Sequence, residues 1–203
     1  MIDNTSFLTA NENMAYDADL FARTEEHGNR FIRVYHWQQP GLTQSEKRDI
    51  PEDLLGYDYS YRLTGGGVVF HSPADIVFSI GGQLSDDFFP EKSKDLMFWV
   101  SDLFSQALRK LSVNVVQKLE QSDDKNILFC ASYPNPYELY VGSSKVFGFA
   151  LKKTRSAFLI QGVLHVNRTK DYFDHLSDHY GKYFTNGVGQ PIELVEFCDM
   201  LEI

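Results

Sequence analysis

From Arg62 to His71 the chain reads R-L-T-G-G-G-V-V-F-H. Three adjacent glycines set between strand-forming residues are not there for packing, because a glycine has no side chain to pack and weakens a strand. What they offer is close approach. Backbone N–H groups of a glycine turn can reach a carboxylate or a phosphate, and Arg62 adds a permanent charge with a fork of donors. A glycine-kinked hairpin without a ligand fits the same residues, and neither G-x-G-x-x-G nor the Walker pattern is present. Two other groups could do chemistry. His175 and His179 stand four apart among Asp171, Asp174 and Asp178, a spacing that can hold zinc; a solvated helix face is the expected state, and no metal is assigned. Lys152-Lys153-Thr154-Arg155 is either a patch for a phosphate or acidic partner or a solvated turn, and the turn is expected.

Hydrophobic periodicity indicates the elements that must position such residues. Glu12 to Glu26 reads as a helix capped by Thr9 or Asn11, with Met14, Ala18 and Phe21 on one face, and Gly28-Asn29 stops it. Arg30 to Trp37 alternates as a strand. Thr43 to Tyr57 is charged and irregular and reads as a surface connection. Tyr59 to Leu63, Gly67 to Phe70 and Asp75 to Ile80 follow as a meander of short strands. Ser93 to Leu111 carries Leu96, Trp99, Val100, Leu103, Ala107, Leu108 and Leu111 at helical spacing, so it predicts a helix burying one face on a sheet. Strands are predicted at Val113 to Lys118, Ile127 to Ser132, Tyr137 to Val141, Val146 to Leu151 and Ala157 to Val166, and helices at Asp171 to Tyr183 and Glu193 to Leu201. Strand runs with helices between them, rather than strict alternation, imply an α+β domain with a mixed, mostly antiparallel sheet.

Bulk properties narrow the function classes. The chain of 203 residues, 43% hydrophobic and 14% aromatic, has material for one sizeable core. A single domain over residues 1–203 is expected. A net charge of -9 with scattered Lys and Arg argues against a non-specific nucleic-acid binder. Cys130 and Cys198 are the two cysteines; far apart, they give no disulfide framework or metal spacing and fit a reducing compartment. No apolar run approaches a membrane span and the N-terminus lacks a signal-peptide pattern, so a cytoplasmic protein without membrane contact is expected.

The longer segment Arg62 to Ser79, R-L-T-G-G-G-V-V-F-H-S-P-A-D-I-V-F-S, closely resembles the R-R-x-[ST]-G-G-G-A-V-[YF]-H-D-x-G-[ND]-x-x-[FY]-[ST] signature of the lipoate-protein ligases and related octanoyltransferases. Further matches follow in order. E-N-M-A-Y-D-A-D-L from Glu12 is similar to the family's first helix, and F-I-R-V-Y-H-W-Q-Q-P-G-L-T from Phe31 to the strand ending W-x-x-P-x-[VL]-[ST]. P-Y-E-L-Y-V-G-S-S-K-V-F-G-F-A from Pro136 is similar to the segment carrying the family's central lysine. The resemblance implies the biotin/lipoate-ligase, class II synthetase-like catalytic fold. It also implies that Arg62, Thr64, Gly65, Gly66, Gly67 and His71 wall an acyl pocket with Gln161 and Gly162. Lys145, with Gly148 and Ala150 in register, would sit at the polar end as the catalytic cation, stabilising charge on the reacting carboxylate.

Three functions are consistent with the resemblance. The first is a ligase that uses ATP and Mg²⁺ to activate lipoate or octanoate and passes the acyl group to a lysine of a lipoyl carrier domain. Such domains belong to 2-oxoacid dehydrogenases or to a glycine-cleavage H-type protein. The second is an ATP-independent transferase. Cys130 lies seven positions before Tyr137-Glu138-Leu139, where cofactor-independent octanoyltransferases carry an acyl-accepting cysteine; a buried apolar cysteine is the plainer reading. The third is a non-catalytic paralogue that binds an acyl group or a lipoylated domain. Departures from the signature put Tyr61 where the first arginine stands, Val68 for alanine and Ser72 for aspartate, and the family's separate Gln-His-Gly pattern reads Ile160-Gln161-Gly162, so that Gln161 stands for a histidine. Gln161 keeps a hydrogen bond but has no proton to transfer. Val68 and Phe149 are expected to reshape the acyl tunnel. The chain leaves no room for the small C-terminal domain of many bacterial ligases, so a separate accessory subunit is a further expectation.

Overall fold

The computed structural model describes residues 2–118, 129 and 135–202. Its first element, α1 (Ala10–His27), begins in a capping box: Thr9 accepts from the Glu12 backbone N–H while the Glu12 carboxylate takes the Thr9 N–H at 2.9 Å. Gly28, at φ 76°, ends it. Strands β1 (Phe31–Tyr35), β2 (Gly41–Ser45), β3 (Asp58–Arg62), β4 (Val69–His71) and β5 (Ile76–Gln83) follow. After α2 (Ser93–Lys110) come β6 (Val116–Gln117), β7 (Leu139–Val141), β8 (Ser144–Lys153) and β9 (Ala157–Leu164). The chain closes through short turns of helix, α3 (Lys170–Phe173) and α4 (Ser177–Tyr180), and α5 (Leu194–Met200).

The strands form two sheets. The larger runs β1-β5-β9-β8-β7-β6 with antiparallel neighbours throughout, and the smaller runs β3-β2-β4, parallel between β2 and β3 and antiparallel between β2 and β4. Strict alternation assigns the faces of β5. Ile76, Phe78 and Ile80 join the core under α2 and α5, where Phe78, Phe104, Phe147 and Phe197 pack together. Val77 and Ser79 face the other way, toward α1 and the small sheet. Burying a ring of this kind contributes roughly 1.5–3 kcal/mol, so this aromatic layer fixes the sheet that bears the site.

Three expectations are corrected. Thr43 to Ser45 is not surface connection: it forms the buried end of β2, the middle strand of the small sheet. Its polar side chains hid it, because Thr43 and Gln44 are buried by hydrogen bonds to Arg62, His71 and the Asp49 carbonyl rather than by apolar contact. The three strands that follow are not a meander, since β3 and β4 flank β2 while β5 enters the other sheet. Asp171 to Tyr183 is not one helix. It breaks into one-turn pieces with no side-chain cap, and Phe173 leaves helical geometry at φ -129°. Tertiary anchors win there: Phe173 packs on Phe70, and the Tyr180 hydroxyl donates to Asp53 at 2.7 Å.

The predicted strand Ile127 to Ser132 lies outside the described residues except for Phe129, and Cys130 lies outside them. Among the described residues no helix is long and apolar enough to cross a membrane.

Candidate active site

Between the two sheets lies a cavity of about 240 Å³. Val68, Phe70 and Phe129 form one apolar wall, and Met14, Val77 and Val163 the other. Its polar groups gather at the margins: Arg62, Thr43 and His71 from the small sheet, Gln161 from β9, and Lys145, Glu138, Thr185 and His165 at the end beyond β8. An apolar space with a few convergent polar groups is the usual form of a small-molecule site.

At that last end Lys145 forms an ion pair with Glu138, both nearly buried. Gly148 makes the pairing possible. A Cβ at Gly148 would stand 2.9 Å from Lys145 Cε and 3.4 Å from its Nζ, so the glycine leaves the room in which the ammonium lies along β8. Glu138 is further held by the Asn135 side chain at 2.8 Å and the Tyr140 hydroxyl at 3.1 Å. Burial pushes the Glu138 carboxyl up from its ordinary value, with the Lys145 ammonium and these donors pulling against it.

The glycine turn is built from inside. Arg62 donates through Nη2 to the Gly65 and Gly67 carbonyls, both at 2.8 Å, and through Nη1 to the Thr43 hydroxyl at 3.1 Å. Of the three glycines only Gly66 has a left-handed backbone, at φ 102°. The Thr64 hydroxyl donates to Gln161 Oε1 at 3.1 Å, and Gln161 Nε2 donates to Asp17 Oδ2 at 2.8 Å. Asp17 accepts in turn from Arg33 at 2.8 Å and Ser79 at 2.9 Å, so a fully buried ion pair on α1 and β1 supports the turn from below.

His71 stacks on Trp37 at 4.3 Å, and its Nε2 meets the Thr43 hydroxyl at 3.0 Å. Among the described residues its Nδ1 is buried without a partner, and a buried polar atom in that state is where a ligand atom gains most. Burial lowers the His71 pKa well below 6.5, with His165 and Arg62 adding to the effect.

Of the residues singled out in the sequence, the cavity brings together Arg62, Gly66, His71, Lys145, Gly148, Ala150, Gln161 and Gly162. Thr64, Gly65 and Gly67 stand behind the wall: Thr64 is fully buried on Gln161, and a Cβ at Gly65 would meet open space. Gly162 touches the cavity with its backbone, while a Cβ there would run into Phe78 and Phe149 in the core. The Phe149 ring packs with Phe78 and Phe147 on that same core side. His175 stacks on Tyr57 and hydrogen-bonds its hydroxyl, and no group of three His, Cys, Asp or Glu suited to a metal is found among the described residues. Lys152 pairs with Glu46 at 3.6 Å beside the β8–β9 turn.

Sequence reasoning missed Glu138, Asp17, Thr43 and the pair His165 and Asp75. Glu138 left a signal, a carboxylate inside the apolar run Y-E-L-Y, and a charge is buried there only if a partner meets it. Asp17 left none, since one carboxylate on an amphipathic helix reads as solvated.

Comparison with known proteins adds independent findings. Residues 9–193 match the family model described as lipoyl protein ligase A/B catalytic domain. A curated relative, octanoyltransferase LipM of Carboxydothermus hydrogenoformans, is 29% identical over 180 residues; the match takes in 84% of this chain and 65% of that protein. The fold is that of protein Ta0514 of T. acidophilum with bound lipoic acid (TM-score 0.76, 19% identity, 98% of this chain and 81% of that one). It is equally seen in a lipoate-protein ligase A bound with ATP (TM-score 0.70, 18% identity, 98% and 82%). A bi-partite lipoate protein ligase from Thermoplasma acidophilum, studied with its E2 lipoyl domain, is also similar (TM-score 0.64, 16% identity, 99% and 81%).

Proposed function

The chain belongs to the lipoyl protein ligase A/B catalytic-domain family, and from that premise we propose that it joins a medium-chain acyl group, octanoyl or lipoyl, to a lysine of a lipoyl carrier domain. The observation that carries this reading is the apolar cavity ending on the Lys145–Glu138 pair across Gly148. The acyl chain lies among Val68, Phe70 and Val163. Its carboxyl oxygens meet the Lys145 ammonium, which favours negative charge on them as the carbon is attacked. Arg62 and the Thr64–Gln161 link keep the glycine turn in one geometry, so the acyl group is held for reaction with little reorganisation.

In the first route ATP supplies the activation by giving an acyl-adenylate. Similarity to the ATP-bound ligase fold supports it. A second route is favoured by a different observation, the 29% identity to an octanoyltransferase. There the Cys130 thiolate takes the acyl group from a carrier thioester and the lysine takes it from Cys130. The acceptor is a lipoyl domain of a 2-oxoacid dehydrogenase or an H-type protein, and a separate accessory subunit has a parallel in the bi-partite ligase.

The test is acceptor mass after incubation with a lipoyl domain and either lipoate plus ATP or an octanoyl-carrier thioester. Gain with ATP alone, lost in Lys145→Ala, supports the first route. Gain without ATP, lost in Cys130→Ser, supports the second. An acceptor unchanged under both conditions would sink the proposal.

A further inference from the structure

His165 follows directly on β9 and lines the cavity. Its backbone N–H donates to the Val146 carbonyl at 2.7 Å, which fixes it beside Lys145. Its ring is oriented from behind. Nδ1 lies 3.0 Å from Asp75 Oδ2, and Asp75 is itself held by the Ser72 N–H at 2.9 Å and the Val166 N–H at 3.1 Å. A carboxylate only accepts, so Nδ1 carries the hydrogen and Nε2 is left as the acceptor. Among the described residues Nε2 has no hydrogen-bond partner, and it is not among the buried atoms left unpaired, so it remains accessible.

The acyl transfer makes two opposed demands. Charge on the acyl oxygens calls for a cation, and the attacking lysine must lose a proton, which calls for a base. One ammonium cannot meet both at once. Lys145, ion-paired with Glu138, is arranged as the cation. Gln161, which stands for the histidine of the family's Gln-His-Gly pattern, is a neutral amide already committed to Asp17 and Thr64. His71 has its Nε2 on Thr43 and is deeply buried.

We propose that His165, oriented by Asp75, is the general base that takes the proton from the acceptor lysine. The inference rests on the acyl-transfer reading above and applies to either route. The acceptor nitrogen bonds to the acyl carbon and its proton passes to His165 Nε2. The bond from that carbon to the leaving oxygen or sulfur breaks, and the electron pair departs with AMP or the thiolate. His165 then returns the proton to solvent.

The charged and titratable groups around the ring are Asp75 from the β4–β5 connection, His71 from β4, Arg62 from β3, Lys145 from β8 and Glu138 beside β7. Among the described residues Asp75 is the one of these that hydrogen-bonds the ring.

The experiment follows single-turnover transfer of a preformed acyl donor to a lipoyl domain between pH 5 and 9, in wild type, His165→Gln and His165→Ala, with lipoate binding measured by calorimetry. His165→Gln is expected to lower the rate constant by about 10²–10⁴-fold, to flatten the dependence of rate on pH relative to wild type, and to bind lipoate as wild type does. Added imidazole should restore part of the rate in His165→Ala. A variant with the wild-type rate and pH limb overturns the inference and leaves the acyl-transfer reading intact. Loss of rate, lipoate binding and thermal stability together also overturns it, by showing a structural role. A wild type that transfers no acyl group from any donor overturns both.

Discussion

Lys145 lies along Gly148 so closely that a methyl group on the glycine would stand 2.9 Å from its Cε. Gly148→Ala is therefore expected to push the ammonium off Glu138 while leaving the fold intact, because the clash is with a side chain and not with backbone. Acyl transfer by this variant should fall nearly as far as in Lys145→Ala, with a thermal midpoint within about 1 °C of wild type, the shift that a few tenths of a kcal/mol produces in a chain of this size. Parallel kinetics and thermal melts check it; an active Gly148→Ala would show that Lys145 does not need this placement.

Gly162→Ala should behave in the opposite way. Its added carbon would come within 2.4 Å of Phe78 Cζ and 2.5 Å of Phe149 Cβ. Overpacking of this kind costs about 1–3 kcal/mol, which a urea titration measures directly. The loss of stability, rather than any loss of acyl contact, is the leading effect.

Asp17 and Arg33 are fully buried and paired at 2.8 Å. Removing either partner leaves a buried charge without compensation, at a cost of about 3–5 kcal/mol. Asp17→Ala and Arg33→Met are each expected to lower stability by that order in denaturant unfolding. A loss below about 1 kcal/mol, the level of an exposed pair, would contradict the buried network.

His71 titrates below its ordinary value of 6.5 because burial disfavours its charged form. In the unfolded chain the imidazole binds a proton as pH falls through 6.5, while the folded state resists until lower pH, so acidification favours unfolding. Stability should be greatest above pH 6.5 and decline as pH drops below it toward the lowered folded-state value. The slope of unfolding free energy against pH in that window should be smaller in His71→Gln than in wild type.

Thr9→Ala removes the capping box of α1, the helix that carries Met14 to the cavity and Asp17 beneath it. The expected loss is about 1 kcal/mol of stability, seen as a lower thermal midpoint with lipoate affinity unchanged.

Where local pattern and burial agreed, the elements were legible from residue order. Ser93 to Leu111 carried an apolar stripe on an uncomplicated polar background, and the helix is there to within one residue. Thr9 and Asn11 both offered a cap for the first helix; Thr9 is the one used, and α1 starts at Ala10, two residues before the expected Glu12. Thr43 to Ser45 was illegible because a strand buried by hydrogen bonding leaves no hydrophobic alternation to read. Asp171 to Tyr183 misled for the converse reason, since helical spacing of Phe173, Leu176 and Tyr180 was overridden by ring contacts and a hydroxyl bond to Asp53, all far away in sequence.

The sequence by itself determined the family, the α+β class and the cation on which the cavity closes, because the glycine signature and the K-V-F-G-F-A segment are contiguous runs whose chemistry is written in adjacent residues. Only the tertiary structure decided which residues work together. Glu138 meets Lys145, Asp17 reaches Thr64 through Gln161, and Asp75 turns His165 toward the cavity. Each of these pairings joins different strands or a strand to a helix, and a buried charge or amide records its need for a partner in the sequence without recording which partner the fold supplies.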